Sequence, residues 1–281
     1  MQRLKECDQF DFEVATSVAK RSNAPGIYDS HLPEEWRTGG GIKGGILMAT
    51  AARATAAAMD IGVEKFFPSS FSASFLTASQ AGPVSLRTDI IRRGSRFCTG
   101  QVSMSQRAVD GAEVERLRAL VSHGNLTSHP IGDPSAPPSI TPPEDCVRSH
   151  EVPAEIMDRL DILDGVDIRL TPRCAGWVFD APSRTGCFDG WFRFSNGREP
   201  DPLALLVAVD VLPPISFDFG HVGWLPTVQL TAHIRDYPAP GWLQVRTSTK
   251  ALGDEYVIED AEVWDSAGAL VIQSRRFAAF V

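Results

Sequence analysis

Two stretches of the chain alternate hydrophobic and polar residues in step with each other. Val84, Leu86, Thr88 and Ile90 recur at every second position, and 159 residues further on Leu243, Val245, Thr247 and Thr249 repeat the phase. A period of two puts successive side chains on opposite faces of a strand. The same offset pairs Gly82 with Gly241, Arg87 with Arg246, Gly94 with Gly253 and Ala73 with Ala232, so the two halves read as a duplication. The pattern predicts strands near 70–78, 83–92, 97–107 and 113–123, and again near 226–235, 242–251, 255–264 and 269–279. Each set follows an almost wholly apolar segment, 45–59 or 202–212, that reads as a buried helix, with Pro202 in the first turn where its missing N–H costs nothing. One helix followed by a run of strands predicts an α+β fold with antiparallel sheets; a parallel sheet would need strands and helices in alternation.

Between the halves the pattern breaks. Ser128-His-Pro-Ile-Gly-Asp-Pro-Ser-Ala-Pro-Pro and Thr141-Pro-Pro-Glu-Asp can extend neither a helix nor an interior strand. The expected division is an N-terminal unit over 1–127, a Pro-rich connection over 128–165 and a C-terminal unit over 166–281. Each unit is long enough to bury a core.

Composition narrows the partners. A formal charge of −8 disfavours nucleic acid and anionic membrane surfaces, both polyanions, while leaving room for a small anion on a local basic patch. The five cysteines contain no Cys-x-x-Cys pair and the six histidines no metal-ligand spacing, so neither a metal nor any other cofactor is expected. Free thiols, no apolar signal core and no apolar run long enough to span a bilayer make the cytoplasm the expected compartment.

Candidate chemistry gathers near the helices. Gly39-Gly-Gly-Ile-Lys-Gly44 satisfies G-x-G-x-x-G formally, but the polar segment before it, with Pro33, is no Rossmann strand. The glycines serve either tight packing or close approach of a ligand to the first-turn amides. No G-x-S-x-G elbow is present. Asp210 closes the apolar run 202–209. Two readings stand: a carboxylate whose apolar setting makes it a general base, or a helix end that reaches water before Pro213-Pro214. The basic cluster Arg92-Arg93-Gly-Ser-Arg96 is a strand-end turn, solvated or in contact with phosphate.

The run Trp191-Phe-Arg-Phe-Ser-Asn-Gly-Arg-Glu-Pro-Asp-Pro-Leu-Ala-Leu-Leu-Val-Ala-Val-Asp210 resembles a signature of thioesterase-like acyl-CoA hydrolases related to bacterial acyl-CoA thioesterase II. Gly39–Gly45, Phe71-Ser-Ala-Ser-Phe-Leu, Gly223-Trp-Leu-Pro-Thr227 and Trp264-Asp-Ser-Ala-Gly-Ala-Leu-Val-Ile-Gln-Ser274 follow in matching order. The resemblance implies a double hotdog, two fused units each with a long helix wrapped by an antiparallel sheet. It implies hydrolysis of an acyl thioester, such as acyl-CoA in lipid metabolism, by water held between an Asp, a Thr and a Gln. Asp210 and Thr227 fall on the first two; Arg276 stands at the third, where it either donates to the oxyanion or pairs with Asp210 and weakens it as a base. Amides at Gly44 and Gly45 are the expected oxyanion donors, and Lys43 and Arg93, with Arg37, Arg92 and Arg96, the candidates for CoA phosphates. The first half lacks the set, since the residue 159 positions before Thr227 is Pro68. Further association into a homo-oligomer is also implied. The other readings are a non-catalytic acyl- or polyketide-binding protein and an enoyl-CoA hydratase; no Asp-x-Asn-Pro-x-His motif supports the latter.

Overall fold

Apolar residues at alternate positions need a face to bury, and here two helices supply it. The computed structural model of the chain describes residues 10–63, 66–125, 136–148, 151–152 and 165–280. Gly44–Met59 forms the long helix and Pro202–Ala208 the short one. Both are buried almost all round: Ala49, Ala51, Ala52, Ala54 and Ala56 let the sheet close down on the first, and every residue of the second is buried. Asp201 caps the short helix, its Oδ1 accepting from the Ala204 amide at 2.7 Å. That helix ends sooner than its apolar run, at Ala208, and leaves Asp210 just beyond its C-terminus.

The strands are β1 (Ala19–Lys20), β2 (Ile27–Leu32), β3 (Arg37–Thr38), β4 (Gly41–Ile42), β5 (Phe67–Phe75), β6 (Gly82–Arg93), β7 (Phe97–Arg107) and β8 (Glu113–Gly124). The second half continues with β9 (Val147–Arg148), β10 (Val166–Leu170), β11 (Cys187–Phe194), β12 (Thr227–Ile234), β13 (Leu243–Ser248), β14 (Tyr256–Trp264) and β15 (Leu270–Ala279). All but β3 and β4 join one antiparallel sheet in the order β1-β2-β6-β7-β8-β5-β12-β15-β14-β13-β11-β10-β9. Its centre is the β5–β12 seam, where Ser72 pairs with Thr231 and their hydroxyls lie 3.0 Å apart. These two residues stand 159 positions apart, so the seam lies on the pseudo-twofold axis of the duplication. The order outward from it matches on both sides: β8, β7, β6, β2 on one, β15, β14, β13, β11 on the other. The fold is the α+β double hotdog, one helix under each half of the sheet.

The Pro-rich connection is partly docked. Residues 128–135, 149–150 and 153–164 lie outside the described ones, but 136–148 run along the second half. β9 pairs with β10 at the sheet edge, the one place where such a sequence can join a ladder. The carbonyls of Pro138, Thr141 and Pro143 accept from Gln244 Nε2, Trp191 Nε1 and Arg169 Nη1 at 2.7, 2.8 and 2.9 Å.

Where the helices meet, Gly45 faces Val207. A Cβ on Gly45 would lie 2.6 Å from the Val207 Cα, a backbone atom that cannot swing aside. Glu13 ties the long helix to the segment that leads into the short one, accepting from Arg53 and Arg198, each at 2.6 Å. In the first half, the ring of buried His123 sits 2.8 Å from the Thr55 hydroxyl and 3.2 Å from the Phe66 carbonyl oxygen.

Two outcomes follow. Gly45→Ala must push the helices apart and is expected to cost about 1–3 kcal/mol, read as a lowered melting temperature. Burial pulls the His123 pKa from 6.5 down to about 4, so between those values the unfolded chain holds a proton that the folded chain does not. This contribution to stability is complete above pH 6.5 and is lost as the pH falls to about 4. Denaturant unfolding should show a loss of about 3 kcal/mol over that window, flattened in His123→Gln.

Candidate active site

Asp210 is buried, and its two oxygens point to different halves of the molecule. Oδ2 accepts the Gly45 amide at 3.0 Å, one of the first-turn N–H groups that a helix leaves without an internal partner. Oδ1 meets Arg276 Nη1 at 3.4 Å. The carboxylate therefore rests on the positive end of the Gly44–Met59 helix, which stabilises negative charge there. Gly44 lets this happen: a Cβ on it would lie 3.0 Å from Asp210 Oδ2 and 3.3 Å from the Phe75 ring.

Arg276 comes from β15 and is itself buried. Its neighbour in register on β14 is Glu259, 1% exposed, whose Oε2 accepts from Nε and Nη2 of Arg276 at 2.5 Å each. Glu259 Oε1 accepts the Ile215 amide at 2.9 Å. Burial opposes the charge on Arg276, but Glu259, by charge and hydrogen bond, and Asp210 outweigh it and hold its pKa above the ordinary value. Arg276 thus pairs with Asp210 through one nitrogen at 3.4 Å, while its closer contacts go to Glu259.

Lys43 immediately precedes the long helix. Loss of water lowers its pKa; Asp210 pulls the other way, Arg276 adds to the lowering and Glu259 opposes it. Thr227 opens β12 beside a register shift between Thr227 and Gln229, the kind of bulge that re-aims a side chain.

Lys43, Gly44, Asp210, Thr227 and Arg276 line one cavity of about 820 Å³. Leu47, Phe75, Ile168, Trp177 and Phe217 make its walls mostly apolar, with Trp177 set edge-on to Phe217 at 5.0 Å. Val147, Arg148 and Val152 of the docked connection complete one side. Trp224 lies against Gly39 and Gly40, where added Cβ atoms would come within 2.7 and 2.8 Å of its indole. The glycine run thus makes room for a ring from the other half.

The structure brings five of the seven expected residues to the cavity and moves two. The Gly45 amide is spent on Asp210, so it orients the carboxylate and is not free for an oxyanion; of the two amides that leaves Gly44. Arg93 is outside the lining and closes the long helix instead, donating to the Met59 and Ala58 carbonyls at 2.8 and 3.3 Å. A cation at a helix C-terminus satisfies orphaned carbonyls there. Arg37 pairs with Glu34 at 2.5 Å while its neighbour Thr38 lines the cavity. Glu259 is the residue that sequence reasoning missed, although a signal existed. Val257, Glu259, Ala261 and Val263 share the inward phase of β14, and Ile272, Ser274, Arg276 and Ala278 that of β15. Opposite charges in the buried phase of adjacent strands announce a buried pair. Among the described residues no group of His, Cys, Asp and Glu could hold a metal, and no helix is long and apolar enough to cross a membrane.

The chain is similar to known proteins over both halves. Residues 32–124 match the acyl-CoA thioesterase N-terminal domain and residues 143–280 the acyl-CoA thioesterase C-terminal domain. An uncharacterised protein of Mycobacterium tuberculosis is 28% identical, over 95% of this chain and 97% of its own. A Thermobifida fusca structure, described provisionally as a thioesterase II, is 28% identical with a TM-score of 0.80, covering 95% of this chain and 96% of that one. The acyl-CoA thioesterase II TesB2 of Mycobacterium marinum shares the fold at 17% identity, with a TM-score of 0.69 over 95% of this chain and 96% of its own. With both domains matched in order across two helices, one continuous sheet and a shared cavity, the chain belongs to the acyl-CoA thioesterase family.

Proposed function

We propose that this protein hydrolyses an acyl thioester, with acyl-CoA as the substrate class, to the free acid and the thiol. The observation that carries the reading is the buried Asp210 carboxylate at the head of an apolar cavity of about 820 Å³, facing the amide end of a helix. That volume falls in the range of ligand pockets, and its aliphatic and aromatic lining suits an acyl chain.

The thioester carbonyl lies near Gly44 and Arg276, and a water sits between Asp210 and Thr227. Asp210 accepts the water's proton as its oxygen bonds to the carbonyl carbon, and Thr227 orients that water. The negative charge that develops on the carbonyl oxygen is met by the Gly44 amide, which has no acceptor within its own helix, and by Arg276 Nη1. When the carbon–sulfur bond breaks, Asp210 returns the proton to the departing sulfur, so one water is consumed and the residue is restored. Gly45 contributes by holding the other carboxylate oxygen, which leaves Oδ1 on the cavity side. Arg148, at the cavity with Trp224, supplies a cation where an anionic carrier would enter, whereas Lys43 stands among Asp210, Arg276 and Glu259.

A panel of acyl-CoAs of increasing length, assayed by release of free thiol, tests the reading; no turnover on any of them overturns it. Asp210→Asn is expected to lower kcat by roughly 100- to 10,000-fold with little change in KM, the pattern of a lost general base. Thr227→Val removes one hydrogen bond to the water and should cost about tenfold in kcat.

A further inference from the structure

Glu259 does not line the cavity, and its two oxygens do different work. Oε1 takes the Ile215 amide at 2.9 Å, in the segment that directly follows Asp210. Oε2 takes the Nε and Nη2 edge of Arg276 at 2.5 Å each. A guanidinium carries five N–H donors in a fixed plane, so fixing that edge fixes the direction of Nη1. Nη1 meets Asp210 at 3.4 Å, well beyond the roughly 2.7–2.9 Å of a tight charge-assisted bond. The duplication supplies a comparison within the chain. The position equivalent to Glu259, 159 residues earlier, is Gly100, and its partner across the ladder is Val121 where Glu259 has Arg276. Both charges are present in the half with Asp210, and both are missing from the other.

We propose that Glu259 is a positioning residue for the reaction. By holding the Nε edge and balancing the charge of Arg276, it keeps the guanidinium from closing on Asp210 and leaves Nη1 for the substrate's carbonyl oxygen. Glu259 and Arg276 are one unit and neither works alone. Around Asp210 stand Lys43 and Arg276 as cations and Glu259 as the second anion, so the group balances. Removing the Glu259 charge leaves two cations on a single carboxylate; removing the Arg276 charge strands a buried anion. The kinetic part of this inference rests on the hydrolase reading.

Three variants test it: Glu259→Gln, Arg276→Gln and the double variant, in which the pair is neutral. Glu259→Gln should lose about tenfold or more in kcat with KM changed by less than about threefold. Arg276→Gln should lose at least as much. The double variant should exceed either single by about tenfold in kcat, because neither charge is left unmatched. Side-chain 1H–15N spectra give a readout that needs no turnover. The Arg276 Nε–H resonance, identified by its loss in Arg276→Gln, should move and broaden in Glu259→Gln. Wild-type kcat in Glu259→Gln, an unmoved Nε–H resonance, or a double variant no better than the singles each overturns the proposal. If Glu259→Gln does not fold, the double variant against Arg276→Gln decides in the same way. If the wild type cleaves no acyl-CoA, the hydrolase reading falls while the Nε–H resonance still judges the pairing.

Discussion

The bond from the Gly45 amide to Asp210 Oδ2, 3.0 Å long, joins the two halves at the wall of the cavity. It forms only if the helices come close, and they come close because residue 45 has no side chain: a Cβ there would strike the Val207 backbone at 2.6 Å. Close approach in turn requires a narrow first helix, which the alanines provide, and a short second helix that stops at Ala208, so that Asp210 can turn back toward its neighbour's amide end. The carboxylate is thus built from both halves although its side chain comes from one. This is why the glycine run of the first half and the acidic residue of the second, 165 positions apart, make sense only together.

The duplication explains the fold and its failure to repeat explains the site. Across the β5–β12 seam the backbones are related by a pseudo-twofold axis at Ser72 and Thr231. The side chains that would make a second centre are missing: Pro68 stands for Thr227, and Gly100 with Val121 stands for Glu259 with Arg276. A Cβ on Gly100 would come within 2.7 Å of the Met59 methyl, so that position is filled by core packing. The first half contributes a helix end, the Gly44 and Gly45 amides, Lys43 and part of the wall.

Much of this was legible in the sequence. The eight strands read from alternation fall within about three residues of β5–β8 and β12–β15 at either end, because period-two patterning records which face is buried. The outer strands β2, β10 and β11, which lie just inside the sheet edges, escaped it. Ile27-Tyr-Asp-Ser-His-Leu is half polar, and Cys187–Phe194 carries Gly190 and Asp189 amid its aromatics, so neither reads as clean alternation. The second helix ended early because apolarity continues through Val211 and Leu212 after the helix has stopped, and burial does not reveal backbone conformation. For the site, Asp210, Thr227, Lys43 and Arg276 were visible one at a time. What the chain could not show was which donor meets which acceptor: that Gly45 serves Asp210, that Arg93 closes a helix, and that Arg276 answers first to Glu259. Those are facts of register between strands distant in sequence.

The buried charges themselves are the remaining problem. An ion pair taken out of water is weak evidence for stability, since apolar residues of similar volume commonly do as well or better, while breaking one partner costs about 3–5 kcal/mol. The chain contains its own demonstration that this ladder position tolerates an apolar pair, because Gly100 and Val121 occupy it in the first half. Folding therefore gives no reason for Glu259 and Arg276 to be charged. Their place does: Arg276 lines the cavity beside Asp210 with Glu259 behind it, and the equivalent positions of the first half carry neither charge. A guanidinium near a general base would ordinarily suppress it by favouring the carboxylate, and it is tolerable only when another anion takes most of its charge. Glu259 is that anion. On the proposed mechanism, the arrangement keeps a cation within reach of the substrate's carbonyl oxygen beside the carboxylate that takes the water's proton.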